Sequence, residues 1–122
     1  MKQKKTILIM DDDLALQTVL EIALREAGYQ VVLANDGQEG IEKLTTLKPD
    51  LVISDIMMPQ MDGVETFQLI KEQLQDNGIP IFIMTALTRK PWFADLEAEG
   101  AVIIQKPFDI EVLLQLVQDM LM

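Results

Sequence analysis

The chain of 122 residues contains no cysteine and no histidine. The first absence removes disulfides and thiolate chemistry. The second removes the imidazole as base, metal ligand or phosphoryl carrier, so a metal held here is a hard cation on oxygen ligands. Positive charge is also scarce, with 10 Lys and Arg against 20 Asp and Glu and a net charge of −10. That balance argues against nonspecific binding to nucleic acid or to an anionic membrane, because both would be repelled. A basic protein partner or a bound cation remains compatible with it. Long hydrophobic runs are missing as well. After the basic start Met1-Lys2-Gln3-Lys4-Lys5, the apolar run Ile7 to Met10 meets three aspartates. It is too short for a signal-peptide core or a membrane span, so no membrane insertion and a cytoplasmic location are expected.

What is present is ordinary for a globular domain: 49% hydrophobic residues and 25% charged residues. Short apolar runs alternate with amphipathic stretches. Thr6 to Met10 reads as strand 1. Asp11-Asp12-Asp13 follows, and Leu16, Val19, Leu20, Ala23 and Ala27 recur at helical spacing. Asp13 suits the N-cap of this helix 1 and Gly28 its C-cap. Tyr29 to Ala34 reads as strand 2. Asn35-Asp36-Gly37 then turns into a helix 2 that runs to about Leu47 and shows Ile41 and Leu44 inward.

Strand 3 is Leu51 to Asp55, and a loop through Pro59 and Gly63 leads to helix 3, with Val64, Phe67 and Leu74 on one side. Asp76-Asn77-Gly78 ends that helix, and strand 4 is Ile81 to Thr85. Pro91 suits the first turn of a short helix 4 that ends at Gly100. Strand 5 is Val102 to about Gln105, and helix 5, from Asp109, carries Ile110, Leu113, Leu114, Val117 and Leu121 on one stripe. This alternation predicts an α/β fold, a doubly wound five-stranded parallel sheet of order 2-1-3-4-5 with five helices.

In such a sheet the ligand site lies beyond the carboxyl ends of the strands, where strand order reverses. Strand 1 delivers Asp11 and Asp12 there, strand 3 Asp55, strand 4 Thr85 and strand 5 Lys106. Neighbouring strands are about 4.8 Å apart, so the acids crowd and repel unless a cation sits between them. Magnesium fits, because it takes one or two carboxylates and leaves room for phosphate oxygens. Asp55 then reads as a carboxylate nucleophile toward phosphorus, with Thr85 and Lys106 aimed at the transferring group.

These pieces together resemble the receiver domain of two-component response regulators, a CheY-like member of the flavodoxin-like folds. The resemblance rests on ILIMDDD at 7–13, DIMMPQMDG at 55–63, MTA at 84–86, GA at 100–101 and KPFD at 106–109. It spans nearly the whole chain and implies one receiver domain over 1–122, with no output domain in the chain. It implies phosphorylation of Asp55, Mg2+ held directly by Asp12 and through water by Asp11, and a further ligand from the main-chain carbonyl of Met57. Thr85 becomes the hydroxyl that moves toward the phosphoryl group and Lys106 its cationic partner, with a cis peptide between Lys106 and Pro107.

The implied phosphoryl donor is a sensor histidine kinase or histidine phosphotransfer protein, acting ahead of an unknown downstream protein. Direct nucleic-acid binding is not expected. The face of helix 4, strand 5 and helix 5 is a candidate homodimer surface. The protein would be a switch that catalyses its own phosphorylation and slow dephosphorylation rather than a metabolic enzyme.

The chain departs from the family pattern at Ile103, where many receivers carry Tyr or Phe three residues before the Lys, and only four residues separate Ala101 from Lys106. Ile103 either packs as a strand residue or marks a weaker response of the helix 4 to helix 5 surface. Trp92 beside Lys90 is either a docking residue or, with Phe93, a cover for the core. Met57 sits by sequence where a bulky apolar group would slow hydrolysis of an aspartyl phosphate. Three other readings compete, one of them a pseudo-receiver that only binds partners, which the complete set of acids, Thr85 and Lys106 argues against. A haloacid-dehalogenase-like phosphatase needs a second Asp two residues past the nucleophile, where this chain has Met57. A flavodoxin-like cofactor binder needs a phosphate-cradling loop after strand 1, where this chain has Asp11-Asp12-Asp13.

Overall fold

Runs of β-branched and aliphatic residues form the strands β1 (Thr6–Met10), β2 (Gln30–Ala34), β3 (Leu51–Asp55), β4 (Ile81–Thr85) and β5 (Ala101–Gln105). The computed structural model describes residues 4–56 and 62–122. All strand pairs are parallel and the order is β2-β1-β3-β4-β5, as the sequence predicts. Every residue of β3 and β4 is buried, the pattern of central strands covered on both faces.

Side chains alternate between two cores, one on each face of the sheet. Leu8, Met10, Val52 and Ile83 pack with Phe67, Ile70 and Phe93 on one face. Ile7, Ile9, Ile53, Phe82 and Met84 pack with Leu20, Leu24, Leu113 and Val117 on the other. Met10 and Met84 are therefore core residues, fully excluded from solvent.

The helices are α1 (Leu14–Glu26), α2 (Gly37–Leu44), α3 (Gly63–Asp76), α4 (Phe93–Ala98) and α5 (Ile110–Leu121). Aspartates open four of them. Asp13, Asp36, Asp62 and Asp109 each accept hydrogen bonds from main-chain N–H groups of the first turn, which would otherwise be unsatisfied. At the end of α1, Gly28 takes φ +101 while Gly28 N donates to Arg25 O and Tyr29 N to Leu24 O. This pair of bonds is a Schellman closure, which favours glycine at that left-handed position. It also takes Tyr29 out of the strand, so β2 begins at Gln30 rather than at Tyr29.

Three further boundaries differ from the sequence expectation. Helix α2 stops at Leu44, not Leu47, because Thr45 N and Thr46 N bond back only three residues, tightening the last turn. Pro91 precedes α4 instead of lying in its first turn; Lys90 O and Pro91 O accept from Phe93 N and Ala94 N in the turn that leads into it. Strand β5 starts one residue early, since Ala101 pairs with Ile81. The inward face of α1 also differs. Val19 is 53% exposed, whereas Leu24 and the polar Gln17 are buried. The stripes of α3 and α5 match expectation, with Phe67, Leu74, Leu113 and Val117 buried.

Candidate active site at the carboxyl ends of the strands

Strand order reverses between β1 and β3, and the acids that leave these two strands meet there. One carboxylate oxygen from each of Asp11, Asp12 and Asp55 falls within 4.8 Å of the others. Asp11 is fully buried, Asp55 nearly so, and Asp12 is exposed at the mouth. The register explains the convergence. Met10 pairs with Ser54, so the residues that follow them, Asp11 and Asp55, come at the same level at the end of the sheet.

Asp11 Oδ1 accepts a hydrogen bond from Asp13 N at 2.9 Å. Its other oxygen, Oδ2, is buried without a hydrogen-bond partner. Burial is the main reason that the Asp11 carboxyl is pushed up to about 6, from 3.8. The Asp13 amide and Lys106 oppose that rise, while the charges of Asp55 and Asp12 add to it. A buried carboxylate oxygen without a donor, beside two further acids, is the environment a hard divalent cation satisfies. The donor set fits Mg2+.

Asp55 is held from two sides. Its Oδ1 accepts from the following main-chain amide, Ile56 N, at 2.8 Å. Its Oδ2 lies 3.3 Å from Lys106 Nζ. Lys106 follows β5, two strands away from β3, and its stem spans the gap left at the end of β4. Lys106 N donates to Thr85 O at 2.7 Å, and the Lys106–Pro107 peptide is cis, as expected.

Thr85 is fully buried at the end of β4, and its Oγ1 accepts from Leu87 N at 3.0 Å. Gly63 is required by close approach. A Cβ there would lie 2.3 Å from Asp55 O and 2.7 Å from Ile56 Cα, while Gly63 N donates to Ile56 O. The start of α3 can therefore approach the end of β3 this closely only with glycine at position 63.

The expected residues Asp11, Asp12, Asp55, Thr85 and Lys106 all come to this end of the sheet. Met57, the expected carbonyl ligand, lies outside the described residues, as do Met58, Pro59 and Met61. Two partners were not foreseen from sequence, the Ile56 amide on Asp55 and the Leu87 amide on Thr85, because main-chain donors leave no residue-type signal.

Residues 7–118 match the family model for the response regulator receiver domain. The chain belongs to that family. This receiver is 40% identical over 108 residues to the transcriptional regulatory protein ZraR of Klebsiella oxytoca, covering 88% of this chain and 24% of that protein. It is 37% identical over 109 residues to the response regulator MprA of Mycolicibacterium vanbaalenii, covering 88% of this chain and 46% of that protein. The chain thus spans about a quarter of the length of the first of these curated relatives and about half of the second.

Among solved structures it superposes on the Vibrio cholerae chemotaxis protein CheY4 with a TM-score of 0.87 at 32% identity, covering 98% of this chain and 100% of that one. It superposes on the Thermotoga maritima response regulator TrrA, in complex with Mg(2+)-BeF, with a TM-score of 0.83 at 31% identity, covering 96% and 99%. The fold is CheY-like, and the chain is a receiver of the two-component type. No helix among the described residues is long and apolar enough to cross a membrane.

Ile103 is half-buried and packs against the core that holds Phe67 and Phe93. Phe93, the first residue of α4, is buried, while Trp92 stands edge-on to it at 4.7 Å between ring centroids and is 37% exposed. One aromatic of the pair covers the core and the other remains at the surface.

Proposed function

We propose that this receiver accepts a phosphoryl group on Asp55, with Mg2+ held by Asp11 and Asp12 and further coordination from Asp55 and the main chain of Met57. The observation that carries the reading is the meeting of Asp55 with two other acids on one side and Lys106 on the other. The phosphoryl donor is a phosphohistidine on a sensor histidine kinase or a histidine phosphotransfer protein. An Asp55 carboxylate oxygen forms a bond to phosphorus as the phosphorus–nitrogen bond breaks, and the electron pair leaves with the imidazole nitrogen.

Mg2+, when bound, supplies positive charge against the phosphoryl oxygens. Lys106, whose Nζ lies beside Asp55, adds a second positive charge, and its half-buried position keeps that charge weakly screened. The Thr85 hydroxyl, near the carboxyl end of the neighbouring strand, donates to a phosphoryl oxygen in the phosphorylated state. The Ile56 amide orients the nucleophile before transfer. Slow hydrolysis of the aspartyl phosphate by water returns the receiver to its starting state, so the protein works as a switch. That the structurally similar TrrA was solved in complex with Mg(2+)-BeF supports Mg2+ as the cation of this receiver.

The excess of negative charge favours protein contacts over direct nucleic-acid contact for residues 1–122, which act as one receiver unit in the cytoplasm. The exposed stripe Val112, Leu116 and Met120 on α5 supports the α4, β5 and α5 face as a homodimer surface, which sedimentation at rising protein concentration tests. The phosphatase alternative lacks its second acid, since Met57 stands at that position. The proposal is tested by incubation with a small phosphodonor. Phosphoryl incorporation requires both Mg2+ and Asp55, and steady turnover of a generic phosphomonoester would instead favour the phosphatase.

A further inference from the structure

Gln17 lies on the inner face of α1, 4% exposed, among positions where Leu20 and Leu24 fill the core. A primary amide in that stripe requires partners, because its burial without them is costly. Its Nε2, with two hydrogens to give, lies within hydrogen-bond distance of three acceptors at the ends of two strands. These are the main-chain carbonyl of Asp11, the carbonyl of Ala34 at 3.1 Å and Asn35 Oδ1 at 3.2 Å. Asp11 N donates to the same Ala34 carbonyl at 3.1 Å.

Asp11 is thereby fixed at its amide by Ala34, at its carbonyl by Gln17 and at Oδ1 by Asp13 N. The remaining polar atom, Oδ2, is the buried oxygen without a donor. Repulsion from Asp12 and Asp55 pushes this acid away from the cluster, and the Gln17 bond opposes that movement through the main chain.

We propose that Gln17 is a positioning residue for the cation site. It holds the Asp11 carbonyl so that Asp11 Oδ2 and the adjoining Asp12 carboxylate stay converged before the cation arrives. The inference rests on the reading of the three acids as a divalent-cation site and assigns to that site a residue that touches neither the cation nor the phosphoryl group. Partners behind metal ligands commonly set affinity by orienting them.

The test is calorimetric titration with MgCl2, and separately with MnCl2, of the unphosphorylated protein and of Gln17→Met, which keeps the chain length but has no donor. Leu24→Ala serves as the control, since it perturbs the same helix face without touching the tether. Gln17→Met is expected to weaken cation binding by about tenfold, with Leu24→Ala staying within about twofold of wild type despite its lower melting temperature. Gln17→Asn, one methylene too short to reach Asp11 O, is expected to weaken binding similarly and decides the matter if Gln17→Met does not fold. Equal affinity in wild type and the folded Gln17 variant would overturn this inference alone. Equal weakening in Leu24→Ala would reduce Gln17 to a structural residue and also overturn it. Absence of cation binding by the wild type would overturn the reading of the acid cluster together with it.

Discussion

Lys106 Nζ lies 3.3 Å from Asp55 Oδ2, although their strands are separated by β4. The cation reaches the acid because β4 ends at Thr85, whose carbonyl anchors the Lys106 amide. Replacing Lys106 with Met keeps the stem and removes the charge. Phosphorylation by a small phosphodonor is expected to slow by about a hundredfold, with Asp55 still the modified residue. An unchanged rate would mean that Lys106 contributes only an ion pair to the resting state.

Asp11 gives the site a pH dependence. Its carboxyl is raised from 3.8 to about 6 in the folded protein. The neutral form is thus favoured by folding, and this contribution to stability is full below 3.8 and lost as pH rises through about 6. Without divalent metal, melting temperature should therefore carry a declining component between about pH 4 and about pH 7. Mg2+ binds the ionised form, so its stabilising effect should grow over the same interval. Asp11→Asn should flatten both trends; melting curves in chelator and in Mg2+ that run parallel across this range would contradict the assignment.

Gly63 faces main-chain atoms that cannot turn aside, Asp55 O and Ile56 Cα. Gly63→Ala is expected to destabilise the domain by about 1–3 kcal/mol through overpacking. Displacement of the β3 end should weaken Mg2+ binding in parallel. Denaturant unfolding that shows no loss would mean that the β3 to α3 connection shifts freely.

Thr85 Oγ1 holds Leu87 N, and Leu87 lines a groove of about 460 Å3 with Ile56, Val64, Trp92 and Leu96. In the proposed phosphorylated state the hydroxyl turns to a phosphoryl oxygen, so the Leu87 amide should lose its acceptor and the groove should adjust. The single Trp, Trp92, should report this as a change in fluorescence on phosphorylation. Thr85→Ala should be phosphorylated yet lose most of the change; a full change in that variant would separate Trp92 from Thr85.

Much of this site was legible because parallel strands place their last residues side by side. Asp11, Asp55, Thr85 and Lys106 could be gathered from strand ends alone, and Asp13 and Gly28 marked the ends of α1. Gln17 was not legible. Hydropathy assigns a glutamine to the surface, and its burial follows from acceptors on Asp11, Ala34 and Asn35 that only the folded sheet brings within reach. Val19 is the opposite case, since helical spacing predicts this apolar residue inward although α1 turns it to solvent. Ile103 packs against the core beneath α4, which accounts for an aliphatic residue there without a rotating aromatic.

The central claim is that Asp55 is the phosphoryl acceptor of a metal-dependent receiver. Intact-mass and peptide mass spectrometry after incubation with a small phosphodonor measures it directly. The account predicts one added phosphoryl group on the peptide containing Asp55, present with Mg2+, absent with chelator and absent in Asp55→Asn. Equal incorporation in Asp55→Asn, or incorporation at another residue, would contradict it.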